Sequence, residues 1–422
     1  WSGRQAVWWD LPERKFYIFG ATFWPQDFML LSWLLIVCAF GLFFITVFAG
    51  RVWCGYTCPQ SVWTWIYMWC EKVTEGDRNQ RIKLDKAPMS GNKLLRKTAK
   101  HSLWLLIGLV TGLTFVGYFS PIRELIPELL TGQADGWAYF WVGFFTLATY
   151  GNAGWLREQV CIYMCPYARF QSVMFDKDTL IVSYDAARGE SRGARKKGSD
   201  PRAQGLGDCI DCQQCVQVCP TGIDIRDGLQ YQCISCAACI DVCNGVMDKM
   251  GYARGLIRYA TENALTNHLD SKATAKRILR PRVLIYGLIL LVLAGALVGS
   301  LVSRNTLRVD IIRDRGALSG IAENGDIENT YTLNLMNTSE RPLVLDLGVT
   351  GMPELRIDGQ TRIEVPATSN RMVPLAIHLP PTTTERPGSH NIEITVTPVP
   401  QEGEEDTGAK PRREGTVYMV PR

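Results

Sequence analysis

The stretch Cys209-Ile-Asp-Cys212-Gln-Gln-Cys215-Val-Gln-Val-Cys219-Pro220 decides the chemistry of this chain. A second copy, Cys233-Ile-Ser-Cys236-Ala-Ala-Cys239-Ile-Asp-Val-Cys243-Asn244, follows it. Each run places three thiols two residues apart and a fourth three residues further on. Only a tight turn lets three sulfurs converge on three irons of one [4Fe–4S] cube, and the fourth thiolate then reaches across to the neighbouring cube. The spacing therefore assigns Cys209, Cys212, Cys215 and Cys243 to one cluster. Cys233, Cys236, Cys239 and Cys219 go to the other. Zinc is the competing reading, but it favours paired Cys-x-x-Cys units over triplets with an x-x-x tail. Asn244 stands where Pro often closes such a run, a departure that bears on the turn and not on ligation.

Working outward, the 14 cysteines all lie at or before Cys243. Disulfide staples belong to exported domains, and the candidate exported tail has no cysteine, so the thiols read as ligands or redox groups. The formal net charge of +4 is small and scattered, which argues against nucleic acid. Neither a Walker A loop nor a G-x-G-x-x-G after a strand is present, so the chain shows no nucleotide, flavin or NAD fingerprint.

Apolar runs at about 28–50, 102–119, 137–155 and 283–302 each suit a layer roughly 30 Å thick. Ten Lys or Arg occupy 51–101 and eighteen occupy 156–282, whereas 120–136 holds only Arg123. The positive-inside rule puts the two basic segments in the cytoplasm and the tail after Arg304 outside. Trp1 then also falls outside, which one further span upstream would account for. The tail alternates apolar and polar residues over about seven short strands separated by Gly, Pro, Asn and Asp, the pattern of an immunoglobulin-like β-sandwich. Two polar stretches, 188–205 and 401–415, read as a flexible linker and a mobile loop.

A shorter motif recurs at the cytoplasmic ends of the first and third runs: VWCGYTCPQSVW (52–63) and QVCIYMCPYARFQSVM (159–174). Proline is favoured at the first position of a helix. Cys58 and Cys165 therefore read as N-caps of helices starting at Pro59 and Pro166, where the dipole would lower a thiol pKa. Cys54, Cys58, Cys161 and Cys165 form the candidate copper or redox thiol set, since soft thiolates suit Cu(I). The bland alternative is small buried residues packing helices. Cys38 and Cys70 read as packing residues, Met68, Met164 and Met174 as membrane-core methionines, and His101 as interfacial.

This order of parts resembles the cytochrome oxidase accessory family called CcoG, FixG or RdxA. The resemblance is carried by RVWCGYTCPQSVW, FWPQDF, FVGYFSP and CIYMCPYARFQSVMFD, and it covers essentially the whole chain. It implies a multi-pass protein of the bacterial inner (cytoplasmic) membrane. The fold class is a transmembrane helical bundle, a two-cluster ferredoxin-like α+β insert and an all-β sandwich. The expected domains are 1–182 transmembrane, 183–206 linker, 207–260 ferredoxin-like, 261–303 connecting and last membrane helix, and 304–422 periplasmic sandwich. The implied activity is reduction of Cu(II) to Cu(I) during assembly of a cbb-type oxidase. The implied partners are copper, a cytoplasmic or membrane electron donor, copper-transport and oxidase-assembly factors, and the lipid bilayer; a homo-oligomer is a further expectation. Two other readings stand beside it: a quinone-linked electron-transfer module without copper chemistry, and a non-catalytic assembly scaffold.

Overall fold

A computed structural model describes residues 3–197, 200–269, 271–313, 319–383, 385–400 and 409–421. Contacts divide the chain into two units: Trp1–Leu31 with Tyr118–Pro121 and Leu297–Arg422, and Ser32–Gly117 with Ile122–Ala296.

The first unit opens with a sheet that the sequence reading missed. Strands β1 (Val7–Asp10), β2 (Lys15–Ile18) and β3 (Ala21–Phe23) pair antiparallel in that order. These strands are three or four residues long, too short for a period of two to stand out from the aromatic run around them. Residues 1–182 are therefore not all membrane domain. Asp27 is buried and pairs with Arg304 at 2.5 Å and with Arg308, and Arg304 also donates to the Thr22 carbonyl at 2.8 Å.

Helices follow, most of them in the second unit, though the first begins and the last ends in the first unit. They are α1 (Phe28–Ala49), α2 (Val52–Tyr56), α3 (Pro59–Glu75), α4 (Arg78–Lys86), α5 (Gly91–Val116), α6 (Ile122–Thr131), α7 (Gly136–Thr149) and α8 (Pro166–Met174). Within the cysteine-rich region lie α9 (Ala186–Gly189), α10 (Gln214–Val218) and α11 (Ala238–Met250), and after it come α12 (Glu262–Thr266), α13 (Ser271–Ile278) and α14 (Pro281–Val302). Among the described residues, three helical stretches are long and apolar enough to cross a bilayer: Pro25–Ala49, Gly91–Val116 and Pro281–Val302.

The third expected span, 137–155, is built differently. Helix α7 has 14 residues, about 21 Å of rise at 1.5 Å per residue. A π-helical segment, Tyr150–Leu156, continues it. The second span starts earlier than expected, because Lys97 and Lys100 of α5 pair with the buried Glu75 at 3.1 and 3.0 Å, so the charged turns stay helical. Gly108 and Gly112 let α5 meet α7 closely: a Cβ on either would lie 2.9 or 2.8 Å from the carbonyls of Thr146 and Val142. This is the small-xxx-small contact of membrane helices.

The cysteine-rich region is an α+β body. Its strands β4 (Ile181–Tyr184) and β5 (Ile257–Ala260) pair antiparallel, Ile181 opposite Ala260. The stretch expected as a flexible linker is tied down. Gly193 donates to the Cys209 carbonyl, Gly207 to that of Ser191, and Arg188 pairs with Asp208 at 2.5 Å. Its high charge, read as solvation, is spent on these contacts instead; residues 198–199 of it lie outside the described residues.

Back in the first unit, the sandwich has the seven expected strands and two short additions. These are β6 (Leu307–Arg313), β7 (Gly320–Ile321), β8 (Ile327–Asn337), β9 (Leu343–Thr350), β10 (Arg356–Asp358), β11 (Arg362–Val365), β12 (Asn370–Leu379), β13 (Gly388–Pro398) and β14 (Arg412–Val420). One sheet runs β10-β12-β8-β6 with β7 on β8, the other β11-β9-β13-β14. Alternating residues such as Leu333, Leu335, Leu345, Ile377 and Ile394 are fully buried between them. Residues 401–408 of the expected mobile loop lie outside the described residues, and Arg412–Gly415 belong to β14.

Candidate functional site

Both cysteine runs fold with the same backbone. Asp211 and Gln213 in the first, and Ser235 and Ala237 in the second, take positive φ of 51°, 55°, 55° and 62°. A non-glycine residue held there costs on the order of 1–3 kcal/mol. Alternating left- and right-handed residues turn successive amides toward one point, a nest for an anionic group. After each nest a helix begins, carrying Cys215 on α10 and Cys239 on α11. Pro220 follows the end of α10 at Cys219, whereas Asn244 lets α11 run on to Met250 and accepts from the Gly255 amide at 3.0 Å. The Pro-to-Asn departure thus lengthens a helix.

Two cavities result. One is lined by Cys209, Cys212, Cys215 and Cys243, with Tyr184, Arg226 and Met247. The other is lined by Cys219, Cys233, Cys236 and Cys239, with Cys215 at its edge. The fourth cysteine of each run crosses to the cavity of the other, as the spacing requires. Among the described residues, no three His, Cys, Asp or Glu side chains converge closely enough to hold a single metal ion. Four thiols line each cavity, a donor set and a space that fit a multi-iron group. Burial and mutual repulsion push Cys236 and Cys243 up to about 11 and Cys239 up to about 12. A cationic group among them would offset that repulsion and favour the thiolates.

The repeated motifs lie beside the second cavity. Pro59 and Pro166 start α3 and α8, with Cys58 and Cys165 at the N-cap positions, as expected. Cys54 lies on α2 and Cys161 on a second π-helical segment, Val160–Met164. The four thiols share one neighbourhood: Cys58 raises both Cys54 and Cys161, and Cys165 raises Cys161. The N-cap expectation concerned Cys58 and Cys165; the other two thiols of the set, Cys54 and Cys161, sit in different surroundings. Burial pushes Cys54 and Cys161 up to about 11, ahead of the opposing effect of Arg51, so both are neutral thiols at pH 7.

Gln60, just after the first motif, donates to the carbonyls of Asn152 and Arg157 at 2.9 and 3.1 Å and so joins the two repeats. Arg157 in turn reaches the buried Glu71 at 2.5 Å. Cys70 is buried against Tyr67 and Trp104, a packing role as expected, while Cys38 is exposed on α1. His101 meets the Tyr150 hydroxyl at 3.0 Å.

Sequence reasoning missed the contact that connects these sites. A Cβ on Gly55 would lie 2.8 Å from the carbonyl oxygens of Ile234 and Ser235 and 2.9 Å from the Cys236 Cα. Only glycine lets the Cys54 turn rest directly on the loop that lines the second cavity. The Tyr259 hydroxyl seals the junction, donating to the Ser235 carbonyl at 2.6 Å and lying 3.4 Å from the Tyr56 hydroxyl, from which it can accept. The one legible signal was Gly55 itself, inside a cysteine motif.

Paired thiol cavities on an α+β body, in a chain with three bilayer-length apolar helices, define an iron–sulfur electron-transfer protein of the membrane. Residues 156–262 match the family model described as a 4Fe-4S dicluster domain, and residues 297–419 match the model for the Ig-like fold at the C-terminus of FixG. The nitrogen fixation protein FixG of Rhizobium meliloti is 38% identical over 406 residues, covering 88% of this chain and 78% of that protein. Protein RdxB of Cereibacter sphaeroides is 41% identical over 370 residues, covering 86% and 77%. The chain belongs to the FixG/RdxA family. A crystal structure of a FixG-related protein from Vibrio parahaemolyticus aligns with 28% of this chain and 97% of its own, at 20% identity and a TM-score of 0.24; at that score the likeness carries no weight.

Proposed function

We propose that this chain carries two [4Fe–4S] clusters and delivers single electrons to Cu(II), releasing Cu(I) for assembly of a cbb-type oxidase. Cys209, Cys212, Cys215 and Cys243 would hold one cluster and Cys219, Cys233, Cys236 and Cys239 the other. Bound there, the clusters supply one-electron storage and transfer. The chain's own residues supply the rest. Gly55 brings the Cys54 turn onto the Ile234–Cys236 loop, and Gln60 draws the second motif to the first. Cys54 and Cys161 stay protonated until a soft cation displaces the proton, which suits a copper ion that binds in passing over one held permanently. The electron balance is one electron per Cu(II), drawn from a cytoplasmic or membrane reductant.

The observation that carries this reading is the direct packing of Gly55 on the second cavity's loop. Sidedness belongs to the same proposal. What supports it is the charge asymmetry of the sequence: ten Lys or Arg in 51–101 and eighteen in 156–282, against Arg123 alone in 120–136. A specific feature also favours the quinone reading: Tyr163, Met164, Phe170 and Val173, beside Cys161 and Cys165, are all well exposed, an apolar surface of the kind a quinone meets.

Anaerobic titration of the reduced, detergent-solubilised chain, followed by cluster absorbance, separates the two. Cu(II) should reoxidise the wild type, and the double variant Cys58→Ser, Cys165→Ser should keep its iron but lose that reoxidation. A wild-type rate in the double variant would make the motif thiols structural. Reoxidation by a short-chain quinone and not by Cu(II) would favour the quinone module.

A further inference from the structure

Each cavity has one buried arginine, and the two are dressed differently. Arg226 lines the first cavity with its side chain 6% exposed and pairs with Asp211 and Asp224, each at 2.6 Å. Its positive charge is outweighed by two carboxylates. Arg51, 5% exposed, stands against the loop of the second cavity and has only neutral partners. It donates to the carbonyls of Tyr231, Cys233 at 3.4 Å and Ala168 at 3.0 Å, and its guanidinium lies over the Tyr231 ring at 4.7 Å. Among the described residues it makes no ion pair, and its buried Nε–H has no hydrogen-bond partner. Counting each arginine with its ion-pair partners alone, the first group sums to −1 and the second to +1.

Adding an electron to a cluster adds negative charge. A buried cation favours that state and a buried anion opposes it, most strongly where the surroundings screen least. Cluster potentials follow net charge and hydrogen bonding at the sulfurs. We infer that this unequal pair of arginines orders the two clusters. The one held by Cys219, Cys233, Cys236 and Cys239 has the higher reduction potential and is the electron exit toward the motif thiols, with Arg51 as its positioning residue.

The inference rests on the two-cluster reading above but not on copper. It gives transfer a direction: electrons enter beside Arg226 and move downhill to the loop on which Gly55 rests. Arg51 also spans the junction itself, since it precedes the first motif, holds the Ala168 carbonyl just after the second, and grips the cluster-bearing loop.

The test is a redox titration of the full chain in detergent, monitored by electron paramagnetic resonance, with no copper present. The Cys219→Ser variant identifies which signal belongs to the second cavity. The wild type should show two midpoints, the higher one from the second cavity. Arg51→Gln should lower that midpoint and leave the other in place, while Arg51→Lys, which keeps the charge, should restore most of it. Asp224→Asn should raise the lower midpoint instead, narrowing the gap from the other side. Coincident midpoints in the wild type, a reversed order, or an unchanged gap in whichever of Arg51→Gln and Asp224→Asn retains iron would overturn the inference. Failure of Cu(II) to reoxidise the chain would leave it standing, so the two readings fail separately.

Discussion

Glu71 is the residue whose removal should most directly loosen the second thiol motif. Its side chain is 6% exposed and holds two guanidiniums, Arg81 and Arg157, each 25% exposed. Breaking a fully buried pair costs about 3–5 kcal/mol, and an exposed one at most about 1 kcal/mol. With both arginines a quarter exposed, Glu71→Ala should cost about 2–3 kcal/mol. Arg157 takes up the strain, because it sits at φ 43° between the two π-helical segments and is held there by Glu71 and by the Gly154 carbonyl at 2.8 Å. At tenfold per 1.4 kcal/mol, local opening should speed up by about 30- to 140-fold. Hydrogen exchange reads this at two amides, Arg157 bonded to the Asn152 carbonyl at 2.7 Å and Cys165 bonded to that of Val160 at 2.9 Å. The sandwich strands should exchange as before. A change below about threefold at both amides, or an equal rise across the whole chain, would refute the reasoning.

Two further outcomes follow from the proposed function. Because the fourth ligands cross, Cys219→Ser should disturb the cluster of the second cavity and Cys243→Ser that of the first; iron and sulfide analysis with paramagnetic resonance distinguishes them, and loss of the same signal in both variants counts against crossing. Reporter fusions after Arg422 and within 193–205 should show opposite sidedness, and matching sidedness would mean a miscounted crossing.

The parts legible in the sequence were those whose signal is local. Cysteine spacing suggested the ligand sets because each set of three lies within one short stretch of chain, and in the structure Cys243 lines the first cavity and Cys219 the second. Seven sandwich strands were legible because each is long enough for inward and outward residues to alternate, as at Tyr331, Leu333 and Leu335. Strands β1 and β2, though as long as β11, show no such alternation, and β3, β7 and β10 have only two or three residues. Charge misled at 188–205, where Arg188 and Arg195 are consumed by partners such as the Gly207 carbonyl at 2.6 Å. Hydropathy measured the 137–155 run correctly but could not see α7 change to a π-helical course at Tyr150. The contacts of Arg51 with Tyr231 and Cys233, and of Gly55 with Ile234, join residues about 180 apart. No local pattern announces such a contact.

The clasp around Asp27 has a consequence for biosynthesis. Its partners Arg304 and Arg308 lie 277 and 281 residues downstream, and Arg4 pairs with Glu340, 336 residues away. At ~5–20 residues per second, a ribosome needs on the order of tens of seconds to supply them. Through that interval β1–β3 have emerged while Asp27 still lacks its counter-charges. The Asp27 ion pairs can form only when about three quarters of this sequence has been made. The N-terminal sheet is therefore the place where a chaperone would be needed, and where truncation of the distant tail would first be felt.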